Sequence, residues 1–268
     1  MIKLVAFDLD DTFLNDNVSI SPKNKKAIEF LKENDIKIAI ATGRPFPSTK
    51  RFVDELTLDM PIITYQGAMV YDIKNKKKIY SKEVPIDLAK KLLDISEKER
   101  IHIHLYINDV WFVREYNEKT EFYKNLTGLT PTIEKDLYKI LTDNPSKVLF
   151  FDEHDRLEEI KKQVHEIIKD TLETTFSKPF FLEFTNKEAT KGQALKFLAE
   201  EHYNIKKEEV MAVGDQLNDL SMIEYAGIGV AVANGHEELK KHATFVTDTN
   251  NNDGFAKAIE KVFGVKLV

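Results

Sequence analysis

The chain has 268 residues, with 39 Lys plus Arg against 45 Asp plus Glu and a formal charge of −6. At 42% hydrophobic and 31% charged residues it has a globular composition, with length for one large domain or two modest ones. It has no cysteine, which excludes disulfides, thiolate metal sites, iron–sulfur clusters and a Cys nucleophile, and its acidic balance disfavours nucleic acid as a partner.

The first residues, Met1 to Phe7, carry no basic leader and no long apolar span, so a soluble, cytoplasmic protein without a membrane partner is expected. Lys3 to Leu9 reads as a buried strand, Pro22 to Asn34 as a helix, and Ile36 to Ala41 as a second strand. A helix over Pro45 to Leu56 and a strand over Ile62 to Tyr65 follow. Apolar strands alternating with amphipathic helices imply right-handed βαβ units and a parallel sheet. Ala68–Tyr71 and Lys78–Lys82 then read as a hairpin around Asn75-Lys76-Lys77.

From about Glu83 to Lys187 the pattern is different. Helices over Ile86–Lys98 and Arg156–Ile168 accompany alternating strands at Ile101–Ile107, Lys147–Phe151, Leu172–Phe176 and Phe180–Phe184. Alternation of this kind fits an antiparallel sheet with one open face. After Thr190 the first pattern resumes, with helices over Lys191–His202, Leu217–Tyr225, His236–His242 and Phe255–Val262. Strands at Val210–Val213, Gly229–Val232 and Ala243–Val246 lie between them. The fold class is therefore α/β: a Rossmann-like parallel-sheet core formed by residues 1–82 and 188–268, interrupted by an α+β domain at 83–187.

In an open parallel sheet, chemistry gathers at the carboxyl ends of the strands. The first strand ends in Asp8-Leu9-Asp10-Asp11-Thr12, which packs three carboxylates into four positions. At an effective dielectric of about 20, two charges about 4 Å apart repel by about 4 kcal/mol, so a compensating cation is expected there. Asp215 and Asp219 stand at another strand end in Gly214-Asp215-Gln216-Leu217-Asn218-Asp219. All-oxygen ligands suit Mg²⁺. Thr42-Gly43-Arg44-Pro45 has the form of a helix start whose hydroxyl and free N–H groups can cradle phosphate. Lys191 falls in the first turn of a helix opened by Thr190, where a cation opposes the dipole unless an anion is near, which points to phosphate binding.

Asp8-x-Asp10-x-Thr12, Thr42-Gly43-Arg44, Lys191-Gly192 and Gly214-Asp215-x-x-Asn218-Asp219 resemble the four ordered motifs of the haloacid dehalogenase-like (HAD) hydrolase superfamily. The insertion, the segment Ala233-Asn234-Gly235-His236-Glu237-Glu238 and Asn252-Asp253-Gly254 resemble its Cof-type sugar-phosphatase branch. The resemblance covers essentially the whole chain. It implies a phosphatase acting on a small-molecule phosphorylated metabolite, with Asp8 as covalent nucleophile and Asp10 as general acid and base. Thr42, Gly43 and Lys191 would bind the phosphoryl group. Asp8, the Asp10 backbone carbonyl and Asp215 would hold Mg²⁺, with Asn218 and Asp219 completing or orienting that shell. Arg44 and Asn234 are candidate substrate contacts. The inserted domain would be the cap, with His102 and His104, on the polar edge His102-x-His104-x-Tyr106-x-Asn108, reading the leaving group.

Three positions depart from the branch: Asp11 stands where Gly is frequent, Gln66 where Asn is common, and Asn234 where Ala is frequent. A phosphomutase using the same intermediate and a phospho-accepting signalling module are the rival readings.

Overall fold

The computed structural model describes residues 1–169 and 171–267. They form two compact units. The first comprises Met1–Arg44, Arg51–Tyr80 and Thr190–Val268; the second comprises Pro45–Lys50 and Ser81–Ala189.

The first unit begins with β1 (Leu4–Phe7), whose four residues are all buried. An irregular turn over Leu9–Phe13 follows, in which Asp11 takes a left-handed φ of 57°. That backbone suits Gly, and Asp is one of the few other residues that adopt it readily, which accounts for the acid at this position. Helix α1 (Pro22–Glu33) starts at Ser21, whose side chain accepts from Asn24 N at 3.1 Å, with Pro22 at the first helical position. Strand β2 (Lys37–Ile40) and helix α2 (Phe46–Glu55) come next. Then come β3 (Ile62–Thr64), β4 (Met69–Asp72) and β5 (Lys77–Ser81), which form a separate three-stranded sheet in that order.

The expected third strand, Ile62–Tyr65, follows the crossover helix α2 and runs parallel beside the end of β2, through the bridge Ala41 to Ile63 and Thr42 N donating to Ile63 O at 2.9 Å. It also pairs antiparallel with β4, Ile62 opposite Tyr71. Tyr65, Gln66 and Gly67 are all left-handed, so the chain reverses at once after β3 and β4 lies antiparallel to it.

The second unit holds α3 (Ile86–Glu99), β6 (His102–Ile107), β7 (Val110–Val113), α4 (Glu118–Thr127), β8 (Thr132–Ile133), β9 (Lys147–Phe151), α5 (His154–Ile168), β10 (Leu172–Lys178) and β11 (Phe181–Asn186). Its six strands are ordered β10-β11-β9-β6-β7-β8, antiparallel except for the β7–β8 edge pair. One core joins Leu92 and Leu93 of α3, Leu157, Ile160 and Val164 of α5, and Ile103, Leu105 and Ile107 of β6.

The expected open face of this sheet is not open. His104 and Tyr106, on the opposite side of β6 from Ile103 and Leu105, are fully buried beside Trp111 and Tyr123. Helix α4 and strand β7, absent from the sequence reading, cover them. The β6–β7 turn did carry a signal, since Asn108 and Asp109 supply the two left-handed residues of a tight hairpin, with φ of 50° and 63°.

The chain returns to the first unit through α6 (Lys191–Lys196), which runs on as a wider turn over Phe197–His202. Strand β12 (Val210–Gly214), helix α7 (Leu220–Tyr225), β13 (Ile228–Ala231), α8 (Glu237–His242), β14 (Phe245–Val246) and α9 (Gly254–Phe263) complete it. The main sheet is wholly parallel in the order β14-β13-β12-β1-β2. Ala194, Leu195 and Leu198 pack with Met222 and Ile223 in its core, and Phe30 of α1 meets Phe263 of α9 at 5.5 Å between ring centroids. The chain runs from β1 to one neighbour, β2, and later from β12 outward on the other side. The topological switch point therefore lies between β1 and β12.

Candidate active site

The carboxyl ends of β1 and β12 place Asp8 and Asp215 at that switch point. Asp8 N continues the parallel ladder onto Val213 O at 3.0 Å, which fixes where its side chain emerges. Carboxylate oxygens of Asp8, Asp215 and Asp219 lie within 4.8 Å of one another, and all three residues are buried. Lys191, fully buried, reaches Asp8 Oδ1 at 2.5 Å and Asp219 Oδ1 at 2.6 Å. Asp219 Oδ2 in turn accepts from the backbone N of Asp215 at 2.8 Å and of Gln216 at 3.1 Å. Thr12 Oγ1 donates to Asp215 Oδ1 at 2.8 Å. Thr12 thus positions Asp215, a task the sequence reading did not assign although Thr12 belongs to the first motif.

Three buried carboxylates therefore face one ammonium. Burial pushes the Asp8 carboxyl well above the usual range; Lys191 opposes this and Asp219 and Asp215 add to it. Burial, followed by Asp219, pushes Asp215 up to about 7, against its hydrogen bond from Thr12. Burial disfavours the Lys191 ammonium, but Asp219 and Asp8 outweigh it and hold the group above its ordinary value. Two uncompensated negative charges in a buried pocket of oxygen donors match a hard divalent cation, and Mg²⁺ fits this donor chemistry. Both Asp219 oxygens are already engaged, so Asp8 and Asp215 are the better suited ligands. Asp219 serves instead to hold Lys191 and the start of the turn after β12.

The remaining predicted residues divide. Thr42, fully buried at the end of β2, accepts from Arg44 N on its Oγ1 at 3.1 Å. Asn218 Nδ2 donates to Gln66 Oε1 at 2.9 Å, and the Gln66 amide lies against Gly43. Arg44 does not stand free for substrate. Its guanidinium grips the Asp10 carboxylate through both oxygens, Nε to Oδ2 at 2.7 Å and Nη2 to Oδ1 at 2.5 Å. Asn234 is likewise occupied: Nδ2 donates to Asp11 O at 2.7 Å and Oδ1 accepts from Asn250 N at 2.9 Å. It ties two loops together. Thr190 accepts from Gln193 N at 3.2 Å and opens α6 as expected.

His102 and His104 lie in the second unit. His102 is held by Thr120 Oγ1 at 3.2 Å and Asn117 Nδ2 at 3.4 Å. His104 is fully buried and neither ring nitrogen has a hydrogen-bond partner among the described residues. A side chain enclosed by Trp111, Tyr123 and His102 is not presented to a ligand, so the expectation that His104 reads the leaving group is revised.

The haloacid dehalogenase-like hydrolase profile matches residues 5–259. The chain belongs to that family. It is an enzyme of the Cof-type phosphatase branch, as the insertion and the Ala233–Glu238 and Asn252–Gly254 segments implied. The 5-amino-6-(5-phospho-D-ribitylamino)uracil phosphatase YitU of Bacillus subtilis is 30% identical over 98% of each chain. The crystal structure of TM0651 from Thermotoga maritima superposes with a TM-score of 0.91 at 34% identity, covering 97% of each chain. The HAD subclass IIB sugar phosphatase BT4131 superposes with a TM-score of 0.79 at 27% identity, covering 98% of this chain and 99% of its own. No helix among the described residues is long and apolar enough to cross a membrane.

Proposed function

We propose that the protein is a Mg²⁺-dependent phosphatase that hydrolyses small phosphomonoesters through an aspartyl-phosphate on Asp8. The observation that carries this reading is the arrangement of Lys191 between Asp8 and Asp219, with Asp215 alongside, at the switch point of the parallel sheet.

In the first step an Asp8 carboxylate oxygen attacks phosphorus. The bond from phosphorus to the leaving oxygen breaks, its electron pair goes to that oxygen, and Asp10 supplies the proton. In the second step Asp10 takes a proton from water, the water oxygen attacks phosphorus, and the bond to Asp8 breaks. The products are the alcohol and inorganic phosphate. Lys191 screens the approach of a carboxylate to an anionic phosphoryl group and neutralises charge that develops there. The Thr42-Gly43 segment holds phosphoryl oxygens. Asp8 and Asp215 would hold Mg²⁺, which when bound supplies further charge neutralisation. Asp10 cannot pass a proton while Arg44 occupies both its oxygens, so substrate entry must part this pair.

The segment 83–187 serves in this reading as the cap that selects the leaving group. Sugar phosphates and phosphorylated cofactors are the proposed substrate class, supported by what YitU and BT4131 are named for. Phosphate release from a panel of phosphorylated metabolites, with Mg²⁺ and with EDTA, tests the proposal. Release that requires the metal supports it; release undiminished by EDTA removes the metal, and no release from any member removes the phosphatase.

A further inference from the structure

The turn Tyr65-Gln66-Gly67 stores backbone strain beside the acidic cluster. All three residues are left-handed, with φ of 51°, 60° and 100°, and two of them carry a Cβ that disfavours this conformation. The surroundings hold the turn in place. Gln66 N donates to Thr42 O at 3.1 Å, Tyr65 N to Arg44 O at 3.1 Å, and Ala68 N to Tyr65 O at 3.0 Å. Gly67 lies so close to the Thr190 carbonyl that a Cβ there would overlap it. One short turn thus braces both the Thr42–Arg44 segment and the start of α6. Strain fixed in this way persists where a side chain needs a position that relaxed backbone would not supply.

That side chain is Gln66. Its Oε1 accepts from Asn218 Nδ2 at 2.9 Å, which sets the orientation of the amide. Its Nε2 then lies over Gly43, close enough that a Cβ on Gly43 would overlap it. No acceptor among the described residues takes the Nε2 hydrogens. Gly43 leaves room for this group, and the result is a pair of N–H donors at the Thr42-Gly43 cradle. We propose that Gln66 is a further substrate-binding residue, whose Nε2 group donates to a phosphoryl oxygen in that cradle while Asn218 fixes the amide from the other side. The inference rests on the phosphatase reading above.

Two substitutions separate binding from folding. Asn tolerates left-handed backbone better than Gln, so Gln66→Asn relieves strain while its shorter stem withdraws the amide from Gly43. Gln66→Glu keeps the shape and the acceptor for Asn218 but replaces the donor with a carboxylate oxygen. Wild type and both variants would be titrated with inorganic phosphate in Mg²⁺ by calorimetry, and their thermal melts recorded. The expected result is that Gln66→Asn melts at or above wild type yet binds phosphate about tenfold more weakly, as loss of one hydrogen bond to a charged group predicts. Gln66→Glu should bind more weakly still, through repulsion. Unchanged phosphate affinity in both variants overturns the proposal, as does a loss of affinity matched by a lowered melting temperature in both. If wild type itself binds no phosphate and hydrolyses no phosphomonoester, the phosphatase reading fails first and is recognised separately.

Discussion

Lys191 carries a heavy electrostatic burden in the site, since its ammonium pairs with both Asp8 and Asp219 beside the buried Asp215. Removing one partner of a buried ion pair leaves uncompensated charge, with a typical cost of about 3–5 kcal/mol. Lys191→Met should therefore lower stability by that order in urea denaturation under chelator, and Mg²⁺ should restore part of it. A loss below about 1 kcal/mol would show that the cluster does not need the ammonium. Asp8→Asn keeps the shape of the side chain but removes the attacking oxygen. Phosphate release should fall by at least about 1,000-fold, in line with other nucleophile deletions, while retained turnover would assign the attack elsewhere. At this scale Asp8, Lys191, Asp215 and Asp219 were legible in the sequence because each closes or follows an apolar strand or opens a helix. The Arg44 grip on Asp10 and the double anchoring of Asn234 were not, because they join residues 34 and 223 positions apart.

Strand β6 shows how an element changes meaning once its neighbours are placed. Its alternation is real: Ile103, Leu105 and Ile107 enter the core with α3 and α5. The other face lies under α4, and the histidines on it are kept neutral. Burial, reinforced by Lys119, lowers His102 from 6.5 to about 4, and burial, reinforced by His102 and Lys147, lowers His104 well below its ordinary value. The unfolded chain then binds more protons than the native state in this range, so stability rises with pH. The contribution is complete above 6.5 and is lost progressively as pH falls toward about 4. Chemical denaturation across that window should show it. His104→Phe keeps an aromatic ring and removes two unpartnered nitrogens, so it should stabilise the fold by about 1–3 kcal/mol and flatten the slope. A variant less stable than wild type at neutral pH would mean that the imidazole has a partner in solution.

The inserted unit is nearly continuous in sequence, and its two ends are tied to each other. Lys82 pairs with Glu188, and Asn186 Nδ2 donates to Glu83 O at 2.9 Å. With its own apolar core of nineteen buried residues among those described, it has what an independent domain requires. A fragment spanning residues 81–189 should fold alone, with a cooperative thermal transition and native-like circular dichroism. A featureless, non-cooperative melt would show that the Pro45–Lys50 segment, which groups with this unit, is needed for folding.

Local pattern determined the alternation of strand and helix, the interruption near Glu83 and the ordered acidic motifs, because hydrophobic period and capping chemistry are written residue by residue. Those same motifs identified the hydrolase family. Tertiary structure decided the rest. It paired β3 antiparallel with β4 through a left-handed turn, and it buried His104 under a helix that local pattern did not disclose. It also brought Gln66 from a departure in a motif to a contact with Asn218 and Gly43. Each of these depends on contacts between residues far apart in the chain. Such contacts leave little trace in local periodicity, because their energy is realised only when the pieces are packed.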